Sequence, residues 1–295
     1  MPYLIAPVFN STTLRPVRIE LPQSFLLLSG EEKLYKLASR FLKNQMDESR
    51  LLFDRKVRAD SLFLFAEYPD LKVRQDQAWI EEIEQKLNLA ALDGICSIPY
   101  IITAQPPVFG ITYLKRSNDG KKFIFDERTE EIFQSLIWDK PSLPQLAVRR
   151  YALSLEKKNL EDQLLDLWIA LESLFVPDGK KGEITYKLRL RMAYYFGDTF
   201  AEREQVAQFV KRSYNHRSEI VHSGKMLGKA LEHDVRRLRQ MARAVILNTA
   251  MEGITLQELR IRLDELVIAG ESYASRYKPA FFERVNLESI NKRKS

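Results

Sequence analysis

Between Asp139 and Pro144 the chain changes its hydrophobic period, and no other feature constrains the fold as strongly. Upstream, apolar residues gather in short β-branched and aromatic runs broken by turn residues. Downstream, from Gln145 to Ile268, they recur every three or four positions, the period of amphipathic helices. Asp139-Lys-Pro-Ser-Leu-Pro144 sets two prolines three positions apart at the change, the composition of a domain boundary. The expected organisation is an α+β domain over residues 1–140 followed by an all-α helical bundle over 141–295. A chain of 295 residues with 45% hydrophobic content can bury two such cores.

In the first domain, strands are expected in YLIAPVF, VRIEL and SFLLLS within residues 1–30, then in SLFLFAEY (61–68), SIPYIITA and VFGITYL (95–114) and KKFIFDE. Helices are expected from Glu31 to Asn44, Gln75 to Leu92 and Thr129 to Trp138. This half has no histidine, no glycine-rich phosphate loop and no carboxylate pair suggesting catalysis. It reads as a recognition or scaffold domain for an unspecified ligand or regulatory partner.

In the second domain, helices are expected over Gln145–Lys157, Leu160–Phe175, Thr185–Phe196, Val206–His222, Lys229–Ala250 and Leu256–Ile268, then an irregular basic tail. Residues 141–295 carry 27 Lys and Arg against 20 Asp and Glu, whereas residues 1–140 carry 19 against 20. A polyanion such as RNA therefore suits the helical half better. The single cysteine, Cys96, excludes an internal disulfide framework and a cysteine-rich zinc site. No apolar run reaches transmembrane length, and MPYLIAPVFNSTTLRP lacks a basic stretch followed by an apolar one. A cytoplasmic protein without membrane partners is expected.

Chemistry concentrates in VAQFVKRSYNHRSEIVHSG (206–224), around which all three histidines fall. Val206, Phe209, Val210, Ile220 and Val221 form a helical stripe, and Arg217 lies near its centre. A guanidinium there cannot lose its proton and must meet a carboxylate, a carbonyl or a bound anion. Glu172, at the edge of the stripe of the Leu160–Phe175 helix, is the candidate partner that would orient it. His222 follows five residues later, roughly 140° further round the helix, beside a Ser-Gly pair that reads as a stop.

An arginine and a histidine near one helix end suit cleavage of an RNA phosphodiester by its own 2′-hydroxyl. An imidazole, with an ordinary pKa of about 6.5, can act as base or acid. Arg217 would stabilise charge on the phosphorane oxygens. No cofactor or metal is required, and no carboxylate–histidine cluster stands at ligand spacing. Because Arg217 and His222 point to different sides of one helix, a two-fold homodimer is expected to bring two pairs to one groove. Ser218, His216, Arg236, Arg239 and Arg243 are candidate RNA contacts. The three arginines share one face of the Lys229–Ala250 helix with His233 and Arg237, and His216 and His233 are read as surface residues.

RRYALSLEKKNLEDQLLDLWIALESLF, TYKLRLRMAYYF and YNHRSEIVHSG together resemble the HEPN superfamily of helical RNases, most closely its ApeA-like branch. The resemblance covers about residues 145–250. Leu171-Glu172-Ser173-Leu174 matches the branch's Leu-Glu element. Arg217 and His222 match its R-x4-H pair, and Ser218 occupies the polar position after the arginine. Ser223 stands where the branch has glycine, and no tyrosine lies two residues after His222. The resemblance implies a metal-independent endoribonuclease that cleaves tRNA or single-stranded loops as a homodimer, in phage defence or as a toxin. The alternative is a catalytically silent HEPN module for dimerisation or nucleic-acid binding.

Overall fold

In the computed structural model the chain divides into two compact units, Met1–Lys140 and Pro141–Ser295. The structure describes residues 2–30, 32–42, 53–67, 73–91, 94–105, 108–114, 121–138, 142–176, 183–223 and 229–287. The turn at Asp139–Pro141, the prolines at 106–107, the Ser-Asn-Asp-Gly turn at 117–120, the helix stop at 177–179, Gly224 and the terminal basic residues lie outside them.

The first unit is built on a six-stranded antiparallel sheet in the order β3-β4-β5-β1-β6-β7. Its strands are β1 (Tyr3–Pro7), β3 (Arg18–Glu20), β4 (Phe25–Leu28), β5 (Phe63–Glu67), β6 (Tyr100–Gln105) and β7 (Val108–Tyr113). A second, parallel pair joins β2 (Ser11–Thr13) to β8 (Phe123–Phe125). Ile5, Leu28, Phe63, Tyr100 and Ile102 share a core with Phe53, Val57 and with Leu34, Ala38 and Leu42 of α1 (Glu32–Leu42). Leu4, Ala6, Leu27, Leu64 and Ile101 are also fully buried. Burial on both faces explains why YLIAPVF is an unbroken apolar run rather than an alternating one.

Helix α2 (Val73–Ala90) fastens the chain ahead of β6 through buried polar groups. Glu84 accepts a bond from the Ile98 amide at 2.7 Å, and Asn88 pairs with both backbone groups of Cys96. Glu84, only 5% exposed, is thus a structural acceptor. Gly94, at φ +87°, has no substitute: a Cβ would fall 2.4 Å from the Lys122 carbonyl oxygen. Helix α3 (Glu127–Trp138) closes the unit, capped by Asp126, which accepts from the Thr129 amide at 2.8 Å.

The second unit is helical: α4 (Gln145–Glu156), α5 (Leu160–Phe175), α6 (Ile184–Phe196), α7 (Phe200–Ser223), α8 (Lys229–Glu252), α9 (Leu256–Ala269) and α10 (Tyr273–Tyr277). Helix α5 is central, packing against α4, α6, α7, α8 and α9, with Leu164, Leu167, Trp168, Leu171 and Leu174 fully buried. Helix α7 begins six residues before the expected Val206. Thr199 and Glu202 form a reciprocal capping box, the Glu202 carboxylate accepting from the Thr199 amide at 2.8 Å and Thr199 Oγ1 accepting from the Glu202 amide at 3.2 Å. Arg191 joins α6 to α9 through Asp264 at 2.7 Å and donates to the Phe175 carbonyl at the end of α5.

The described residues after α9, up to 287, are packed rather than an irregular tail. Tyr273 of α10 stacks on Phe282 with centroids 5.8 Å apart. Glu283 pairs through its backbone with Asn248 of α8, its amide donating at 2.6 Å.

Candidate functional site

Glu172 sits in the last turn of α5, and Arg217 sits in the C-terminal part of α7, a helix packed against α5. The structure brings these two together as the sequence suggested. Arg217 Nε lies 3.2 Å from Glu172 Oε1, with the side chains 26% and 23% exposed. The two atoms are buried but not aligned as a hydrogen bond, so the contact is an ion pair without directional restraint.

Two aromatic residues not among the expected site residues complete the cluster. Tyr214, one turn before Arg217, turns its hydroxyl towards the Glu172 carboxylate. Its ring lies under the Arg217 guanidinium, 5.2 Å from Cζ. Trp168, one turn before Glu172, meets the same ring edge-to-face at 5.1 Å and 84°. Burial, followed by the negative charge of Glu172, raises the Tyr214 phenol above its ordinary range, so it remains a protonated donor. The signal for both residues was the spacing: three before Arg217 and four before Glu172 place them on the same helix faces.

His222 stands apart. It occupies the exposed last turn of α7 and makes no hydrogen bond or ion pair among the described residues. The expected stripe runs out here. Val206, Phe209 and Val210 are fully buried, Ile220 only partly, and Val221 is 54% exposed. Ser218, after the arginine, is half-buried.

His216 and His233 are not the open surface residues expected. Asp234 of α8, 1% exposed, receives His216 Nδ1 at 2.8 Å and Arg212 at 3.3 Å, and His233 Nδ1 lies 3.6 Å away. Arg212 and His216 are four residues apart on α7, so this buried carboxylate staples one face of α7 to the start of α8.

The basic face of α8 sinks from solvent into the core along its length. Arg236 is exposed, and Arg239 is half-buried and donates to Gln163 at 2.8 Å. Arg243 is 5% exposed and paired with Glu283 at 3.2 Å. Arg243 is therefore not an RNA-facing residue. Residues 241–250 are buried on every side, so α8 has no outer face at that point.

The first unit has an open groove of about 900 Å³ between α1 and the β3–β4–β5 face. Leu26, Leu28, Leu34, Leu37 and Phe65 form its floor, and Arg18, Lys33, Glu20 and Glu67 its rim.

Among the described residues no three His, Cys, Asp or Glu side chains are grouped to hold a metal ion, and no helix is long and apolar enough to cross a membrane. Fold and site together define an antiparallel-sheet unit joined to a helical unit with an Arg–Glu–Tyr cluster and, five residues after the arginine, an exposed histidine. Neither protein-family models, curated proteins nor solved structures provide a match to the chain.

Proposed function

We propose that the helical unit is a metal-independent endoribonuclease of HEPN type, with Arg217 and His222 as its reacting pair. The observation that carries this reading is the unequal state of the two residues. Arg217 is restrained from behind by Glu172 and Tyr214, whereas His222 is exposed on the same helix end. An anchored cation and an exposed acid–base group on one helix end suit a reaction in which charge builds on phosphorus while protons move.

His222 of one copy takes the proton of the ribose 2′-hydroxyl, whose oxygen forms a new bond to phosphorus. Arg217 meets the phosphorane oxygens as their charge grows. The bond from phosphorus to the 5′-oxygen breaks, and His222 of a second copy protonates that leaving oxygen. The products are a 2′,3′-cyclic phosphate and a 5′-hydroxyl. Glu172 orients Arg217, while Ser218, Arg236 and Arg239 contact RNA. The groove of the first unit is the place where a regulatory ligand or partner would act, as expected of a defence or toxin nuclease in the cytoplasm.

A second reading is a silent HEPN adaptor that binds RNA or dimerises without cutting. It is favoured by the pairing of Arg217 with Glu172, which would satisfy a purely structural arginine. One experiment separates the two: incubation of total tRNA and unstructured RNA with the purified protein in EDTA, comparing wild type, His222→Ala and Arg217→Ala. The nuclease reading expects cyclic-phosphate ends from wild type alone. Cleavage surviving both substitutions refutes the assignment, and salt-dependent retention of uncut RNA by all three proteins supports the adaptor.

A further inference from the structure

We propose that Tyr214 is the positioning residue of this site, its ring and hydroxyl setting where the Arg217 guanidinium points. The inference rests on the nuclease reading for its consequence in catalysis, but its geometry stands independently.

Glu172 alone underdetermines Arg217. The approach of Nε to Oε1 at 3.2 Å lacks hydrogen-bond alignment, so the guanidinium could pivot about that contact. Tyr214 removes the freedom in two ways. Its ring offers the cation a flat face at 5.2 Å, which restrains the guanidinium out of plane. Its hydroxyl faces the Glu172 carboxylate, the group the arginine also meets, and so ties the ring to the pair.

The ring is itself held. Trp168, fully buried at the centre of α5, meets it edge-to-face at 5.1 Å. Restraint thus passes from the core through Trp168 and Tyr214 to Arg217. The Nε atom is buried while the side chain is 26% exposed, so the exposed part lies away from the clamp. Such a residue touches neither the phosphate nor the reacting oxygens. It acts through Arg217, and its removal should lower kcat and leave KM nearly unchanged.

The test uses the whole 295-residue chain and guanidinium ion as a probe. Tyr214→Leu should cut kcat by about 10- to 100-fold, the scale of a misplaced catalytic group, and Tyr214→Phe, which keeps the ring, by less. In Arg217→Ala, added guanidinium should restore part of the cleavage, and in Arg217→Ala/Tyr214→Leu it should restore none. Equal rescue in both backgrounds, or an unchanged kcat in Tyr214→Leu, overturns the proposal. Should Tyr214→Leu fail to fold, a kcat for Tyr214→Phe equal to wild type, with no change at the arginine Nε, overturns it as well.

If wild type cuts no RNA, the nuclease reading fails and the clamp is judged by NMR alone. The Nε–Hε resonance of Arg217 should be distinct and slow to exchange in wild type, and should join the averaged arginine signals in Tyr214→Leu. A resonance unmoved by that substitution refutes the clamp, whatever the activity.

Discussion

Replacing Arg243 by alanine tests the assignment of that residue to the core rather than to an RNA track. Arg243 and Glu283 have side chains 6% and 5% exposed and meet at 3.2 Å. The Glu283 backbone is tied to Asn248 on both sides, at 2.6 and 3.2 Å, which keeps the start of its side chain in the core when the partner is removed. Breaking a buried pair from one side costs about 3–5 kcal/mol. For a unit of this size each kcal/mol lowers the melting temperature by about 2–4 °C, so Arg243→Ala should melt about 6–20 °C early. Arg236→Ala, at an exposed position of the same helix, should change stability by less than about 0.5 kcal/mol. The apolar pair Arg243→Leu/Glu283→Leu should recover most of the loss, since neither charge is then stranded. Thermal unfolding followed by circular dichroism reads all four proteins. RNA retention measured well below each melting temperature should fall with Arg236→Ala and not with Arg243→Ala. An Arg243→Ala protein melting within 2 °C of wild type, or losing RNA affinity while fully folded, would refute the reasoning.

Two further outcomes follow from buried and hydrogen-bonded groups. Asp234→Asn removes the charge that holds Arg212 and His216, and should cost about 2–4 kcal/mol, reduced from the fully buried case because Arg212 is 28% exposed and can rehydrate. Amide exchange over residues 212–222 should quicken in that variant, and unchanged exchange would mean that Asp234 does not staple α7. On the alkaline side, burial and then Glu265 push the Tyr277 phenol up to about 12, while burial and then Glu252 raise Tyr273 further. Folded values above the unfolded value give stability that is present below about pH 10 and lost as the pH rises through the folded values. Tyrosinate absorbance should therefore show a late-ionising group among the 12 tyrosines, with Glu265→Gln returning Tyr277 towards its ordinary range. A single titration of all tyrosines near pH 10 would contradict the tail packing.

The helical half was the more legible because its signals are local. The bounds expected for α5, Leu160 to Phe175, are those observed, since one face of Leu and Trp residues runs its whole length. The start of α7 was missed because its first turn is held by a cap, not by burial: Phe200 is 81% exposed. The Thr-x-x-Glu spacing was there to be read. Asp234 lies three residues after Leu231 and four before Leu238, inside the stripe of α8. Like Arg217, it is a charge among core positions. Arg243 was misplaced for another reason. Helical periodicity separates inner from outer faces only where an outer face exists, and residues 241–250 have none. In the sheet unit, the strands were legible but their order was not. β5 is inserted between β4 and β1, and β1 pairs across to β6, partners that no local pattern specifies.

The motif's two residues differ in what their substitution can reveal. Arg217 bears on packing as well as chemistry, because its loss leaves Glu172 without its cation and Tyr214 without the group above its ring. A lost activity in Arg217→Ala would mix a shift of α7 against α5 with the loss of charge at phosphorus. His222 carries no such load, since it is exposed at the helix end and bonded to nothing among the described residues. Its removal should alter stability by less than about 0.5 kcal/mol. Activity lost in His222→Ala at unchanged melting temperature therefore reports on what His222 does towards RNA and not on the fold. The same loss in Arg217→Ala is interpretable only beside Glu172→Gln, which relaxes the clamp but keeps the guanidinium. If Glu172→Gln retains cleavage while Arg217→Ala does not, the arginine acts on the phosphate. If both fail together, its position matters as much as its charge.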